Sequence, residues 1–133
     1  MSEANLLLVK SFFEARVHGD LEIYLSFFDS EAEIETSEVY SRTVYRGLDE
    51  ITRLFQESNA PWEDMRFQTA NALSVGDRVV IDVTRTARAR RGGYEVQSGG
   101  TAGITVRNGK ILTYKLFQTR DAALEAAGLG DFP

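Results

Sequence analysis

Arg85 is the side chain that demands most of its surroundings. In the stretch from Val79 the apolar residues Val79, Ile81 and Val83 alternate with Asp82 and Thr84, and alternation puts Arg85 on the apolar side. A guanidinium there is costly without a partner. A pocket carboxylate ligand or Glu35 could supply one, or Arg85 could stand at an exposed strand end. On the stretch from Lys110 the matching set is Leu112, Tyr114, Leu116 and Gln118. Tyr114 and Gln118 offer a hydroxyl and an amide to a ligand's polar end. They equally suit a core tyrosine and a glutamine that satisfies backbone groups. Glu33, Glu35 and Glu38 are close in sequence, but acid–base work requires a geometry that spacing alone does not give. His18 is the single histidine and falls at a predicted helix end, where the helix dipole favours a cation.

The composition narrows the field. A chain of 133 residues suits one domain, here residues 1–133. Without cysteine there is no disulfide or thiolate metal site, and one histidine argues against a His-rich metal centre, so no metal or cofactor is expected. A net charge of −5 speaks against general nucleic-acid affinity. Arg85, Arg88, Arg90 and Arg91 form a local exception, read as a solvated hairpin end or as an anion patch. No apolar run approaches the ~20 residues that span a bilayer, so no membrane partner is expected. The N-terminal residues lack a basic leader pattern, so the expected location is the cytoplasm.

The order of elements follows from periodicity. Leu7, Leu8, Phe12 and Ala15 predict a helix over 4–17, with Ser2 as its cap and Gly19 at its end. Asp20 then caps a second, largely buried helix over 21–28. A short strand at 32–36 and a second near 44–45 precede a third helix at 49–57, which Pro61 helps to stop. Strands follow at 67–75, 79–89, 94–107 and 110–119, with a type I′ turn predicted at Asn108-Gly109. A helix over 121–127 closes the chain, and Gly128 ends it. Helices first and a meander later define an α+β domain.

Several segments carry a resemblance over nearly the whole chain. They are Val9-Lys10-Ser11-Phe12-Phe13 leading into Gly19-Asp20-Leu21, then Tyr45-Arg46-Gly47 before a helix, Gly109-Lys110-Ile111, and the ending Ala123-Leu124-Glu125-Ala126-Ala127-Gly128-Leu129. In this order they resemble the SnoaL-like branch of the NTF2-like superfamily, with its ketosteroid isomerase/polyketide cyclase-like fold. The resemblance implies a cone-shaped barrel whose curved, mostly antiparallel sheet wraps around the N-terminal helices. It implies a mainly apolar pocket to which Phe12, Arg16 and Trp62 are added. It also implies a homodimer through the outer sheet face, which carries Asp82, Thr101, Thr113, Lys115 and Phe117.

The family's enzymes imply further positions. A ketosteroid isomerase's oxyanion-binding tyrosine would stand at Phe12, its general base at Thr36 and its second oxyanion acid at Ala102. An epoxide hydrolase of the limonene type would need an aspartate near Leu116 and an inward Arg–Asp pair, whereas Asp82 and Arg85 alternate to opposite faces. The residues of both reactions are missing. The expectation is therefore a protein that binds a small apolar ligand through Phe12, Trp62, Arg85, Tyr114 and Gln118. The alternatives are a non-catalytic accessory or dimerisation domain, and a lyase, isomerase or cyclase acting on an apolar carbonyl or polyketide-like substrate. Gly99-Gly100 and Gly103 predict a bulge or a close backbone approach in the sheet.

Overall fold

Capping and packing set the first elements. The computed structural model describes residues 3–36 and 43–129. Helix α1 spans Glu3–His18 and α2 spans Leu21–Ser26. Between them the side chain of Asp20 accepts a hydrogen bond from the Ile23 amide at 3.1 Å, which caps α2. The predicted cap Ser2 lies outside the described residues. Strands β1 (Phe28–Glu35) and β2 (Val44–Arg46) lead to α3 (Gly47–Asn59). Strands β3 (Trp62–Val75), β4 (Arg78–Ala89), β5 (Glu95–Arg107) and β6 (Lys110–Phe117) follow, then α4 (Arg120–Ala126). Thr119 caps α4 by accepting from the Ala122 amide at 3.1 Å.

The six strands form one curved sheet in the order β2-β1-β6-β5-β4-β3. All neighbours are antiparallel except β1 and β6, which run parallel. The sheet is not closed, since β2 and β3 are its two edges, so the cone is an open one. Its inner face carries Val79, Ile81, Ala102, Ile104 and Ile111, all at most 2% exposed. Against these pack Val9, Phe12 and Phe13 of α1, Tyr24 of α2, and Ile51 and Phe55 of α3. On the outer face α4 places Ala123 and Leu124 against Val80 in a second, small cluster.

Three boundaries differ from the sequence reading, each because tertiary pairing overrides local pattern. Phe28 belongs to β1, not to the second helix, because it is the register partner of Ile111 on β6 and the Ile111 amide donates to the Phe27 carbonyl at 2.7 Å. Strand β3 begins at Trp62, with a register shift between Trp62 and Asp64. In β6 a shift follows the Asn108-Gly109 turn, where both residues have positive φ (52° and 74°). Val106 pairs with Ile111 and Thr105 with Thr113, so Leu112 is the extra residue and Ile111 takes the inward place assigned to Leu112.

The glycines of β5 make a close approach and no bulge, because the β4–β5 register is continuous from Arg78↔Thr105 to Arg88↔Glu95. A Cβ on Gly100 would lie 2.6 Å from the Phe117 carbonyl oxygen, and one on Gly103 would lie 3.0 Å from the Phe117 ring. Gly103 thereby leaves room for the Phe117 ring on the outer face, where the Lys115 ammonium stands 4.9 Å from its centroid.

Asp82 organises the outer face. Its carboxylate accepts from Asn71 at 2.8 Å, Thr101 at 2.9 Å and Arg120 at 3.1 Å. Asn71 reaches it from a register shift in β3, at positive φ (54°). Burial pushes the Asp82 pKa up, but the three donors outweigh it and the net direction is down. A carboxylate so lowered stabilises the fold fully above its unfolded pKa, about 3.9, and loses that contribution as pH falls through the folded value. Asp82→Asn is expected to cost about 1–3 kcal/mol at neutral pH, roughly 4–10 °C in Tm. Its Tm should also fall less steeply than wild type below about pH 4. Superimposable Tm–pH curves for the two proteins would remove Asp82 from this role.

Candidate functional site

The inner face divides into a filled part and an open part. Two residue rows cross the sheet in register: Phe67–Arg85–Ser98 and Thr69–Val83–Gly100. The β5–β6 pairing ends at Thr101↔Phe117, so β4 and β5 run on beyond β6. Where β6 stops, the sheet and α1 enclose a cavity of about 750 Å³. Its wall includes Val83, Val96, Leu116, Trp62, Phe67 and Tyr114. Polar groups come from Arg16, Arg85, Thr36, Ser98 and Gln118. This is an apolar cavity with a few polar side chains, the makeup of small-molecule sites.

Four of the five predicted binding residues, Trp62, Arg85, Tyr114 and Gln118, are brought together here. Phe12 is not on the wall. It is 1% exposed, and its ring lies 5.2–6.0 Å, centroid to centroid, from those of Phe13, Tyr24, Phe27, Phe28 and Tyr114. Tyr114 separates that core from the cavity, touching the Phe12 cluster on one side and lining the open space on the other. Burial pushes the Tyr114 hydroxyl pKa up, with Arg16 acting weakly against it, so at neutral pH the hydroxyl is a hydrogen-bond donor. Burial likewise raises Tyr24 to about 12.

Arg16 and Phe67 complete the wall. The Arg16 guanidinium stands 4.9 Å from the Phe67 ring centroid, and that of Arg85 stands 5.4 Å from the Trp62 centroid. Burial lowers the Arg85 pKa below the usual arginine value, and the nearby charge of Arg16 adds to this. Glu35, a candidate partner for Arg85, is on the other face of the sheet. It is the register neighbour of Lys115 and pairs with it at 2.6 Å. Met65, Phe67 and Thr69 alternate and so signal the face of Phe67, but the register shift between Ala70 and Leu73 breaks that alternation along the rest of the strand.

The remaining sequence candidates are accounted for by structure. Glu33 pairs with Arg46 at 2.7 Å, and Glu38 lies outside the described residues. His18 is exposed in the last turn of α1. Of the hairpin arginines, Arg88 pairs with Asp64 at 3.2 Å and Arg90 donates to the Ala60 carbonyl at 3.0 Å, which leaves little of an anion patch. A recess of about 270 Å³ on the outer face holds Glu33, Glu35, Arg46 and Lys115, whose charges are already paired with one another. Among the described residues no group of three or more His, Asp or Glu side chains is placed to hold a metal ion. No helix there is long and apolar enough to cross a membrane.

An open curved sheet over N-terminal helices defines the architectural class, and comparison with known proteins agrees. Residues 9–114 match the model of the SnoaL-like domain, and the chain belongs to that family. Solved structures share the fold. An NTF2-like protein of unknown function from Burkholderia pseudomallei superposes with a TM-score of 0.77 at 19% identity, over 94% of this chain and 97% of that one. A putative SnoaL-like polyketide cyclase from a Jannaschia species gives 0.76 at 13% identity, over 100% and 98%. A protein with a ketosteroid isomerase-like fold from Catenulispora acidiphila, in complex with trimethylamine, gives 0.74 at 14% identity, over 95% and 96%. No curated protein matches the sequence.

The position of Phe12 sets a test of its role. Phe12→Ala should cost about 3–5 kcal/mol, since it empties the centre of the aromatic cluster. A thermal melt of that variant coinciding with wild type would return Phe12 to the cavity wall.

Proposed function

We propose that this protein binds a small, largely apolar molecule in the inner cavity, with Arg85 or Tyr114 meeting the ligand's polar end. The observation that carries this reading is the cavity itself: about 750 Å³, walled mainly by aliphatic and aromatic side chains, with a few polar groups among them. That a protein of the same fold is in complex with trimethylamine is consistent with small-ligand binding by such an architecture. No reaction is assigned. Proton transfer needs a positioned base, and among the described residues no carboxylate or imidazole lines the cavity. Thr36, at the family's base position, lines the cavity but carries only a hydroxyl.

A second reading, an accessory or dimerisation domain, draws on the outer face. There Phe117, half-buried beside Lys115 and packed against the edge of the cluster under α4, adjoins a threonine-bearing surface suited to a second copy of the chain. Helix α4 already covers the part of this face around Val80, so a dimer would use the surface beside it.

A thermal-shift screen separates the two readings. Apolar carboxylic acids, enolisable ketones and polycyclic aromatics would be tested at about 100 times Kd. A true ligand should add about 2.7 kcal/mol, a Tm rise on the order of 10 °C. No rise across the panel would favour the accessory-domain reading. Sedimentation of Phe117→Glu tests the dimer: a shift from dimer to monomer is expected, and an unchanged mass would discard this face as the interface.

A further inference from the structure

The cavity holds two guanidinium groups and, among the described residues, no carboxylate. Several of the other arginines differ. The partly buried Arg120 at the start of α4 pairs with Asp82 at 3.1 Å, and even the exposed Arg46, Arg88 and Arg107 have their own acids. Among the described residues Arg16 and Arg85 have aromatic rings in place of acids, Phe67 and Trp62. Cation–π contact with a ring offsets part of the desolvation of a guanidinium but accepts none of its N–H hydrogen bonds. The Arg16 Nε is closed off from solvent and, among the described residues, has no acceptor. A buried donor left unsatisfied is destabilising, and two like charges sharing a low-dielectric space repel. In a chain of net charge −5 such a concentration of positive charge is a local feature of the cavity.

We propose that Arg16 and Arg85 form a two-guanidinium seat for the carboxylate of an aromatic acid, whose flat apolar body lies against Phe67, Trp62, Val83 and Leu116. The proposal rests on the small-molecule reading above and names the ligand's chemical class. A carboxylate has two oxygens with about four acceptor sites, enough to take N–H groups from both arginines at once. It would accept from the guanidinium groups that face the cavity and remove the repulsion between the two cations. The adjoining rings favour an aromatic body, because they offer stacking faces beside the seat. The cavity volume lies in the range that suits drug-sized ligands, so two or three fused rings are accommodated.

Calorimetric titration with anthracene-2-carboxylate and with its neutral isostere, anthracene-2-carboxamide, tests this. Wild type should bind the acid at least about tenfold more tightly than the amide, since charge-assisted bonds exceed neutral ones. Arg16→Met and Arg85→Met keep the apolar stems, and each should bring the two affinities together, while Arg85→Lys should keep part of the preference. Without ligand, both methionine variants should melt at or above the wild-type temperature, because each removes one of two repelling charges. Equal binding of acid and amide by wild type would overturn the anion seat and leave the small-molecule reading standing. Binding of neither compound would count against both. A preference for the acid that persists in both methionine variants, or a fall in their melting temperature without ligand, would also overturn the proposal, since the anion would then sit elsewhere or the arginines would serve the fold.

Discussion

The seating of Phe12 against the concave sheet is the contact on which the rest of the molecule depends. A curved sheet encloses more volume than three short helices can fill. The aromatic cluster around Phe12 takes up the deep end, with Tyr24, Phe28 and Phe55 extending it toward α2, β1 and α3. Because these rings are concentrated at one end, the other end keeps its space. Tyr114 forms the partition, so core packing and cavity shape are decided by the same side chain. A change in the ring stack would therefore be felt at the cavity wall.

The sheet contributes by ending unevenly. Strands β4 and β5 run on past the last paired residue of β6, and Gly100 allows the β6 backbone to pass closely over β5 at Phe117. The side chains of the two longer strands are then left facing space instead of a neighbour. Arg85 lies on that overhang, in register with Phe67 and Ser98. The outer face has the opposite character. Its buried polar groups are matched, with Asp82 taking three donors and Lys115 taking Glu35, so charge there is spent on holding α4 and β1 in place.

Much of this was readable from residue order, for physical reasons that differ from place to place. The alternation of Val79, Ile81 and Val83 fixed the inward face of β4 and so the side of Arg85, because period two leaves only two choices. The Asn108-Gly109 pair marked the hairpin through its left-handed conformation. What local pattern could not reveal depends on partners far away in sequence. The parallel pairing of β1 with β6 drew Phe28 out of a helical pattern, and a one-residue shift exchanged Leu112 for Ile111. Phe12 has the right helix face to point inward, but only the depth of the sheet decides whether inward means core or cavity. Arg16, one helical turn further on, reaches the open space instead.

Trp62 gives the molecule an optical property. It is the one tryptophan of the chain, half-buried at the cavity wall beneath the Arg85 guanidinium. Excited at wavelengths that tyrosine does not absorb, the protein therefore emits from a single indole at the cavity rim. Its colour and intensity depend on the polarity around that ring and on the charge above it, so a change at the cavity rim is written in the light the protein emits, and no added label is needed to see it.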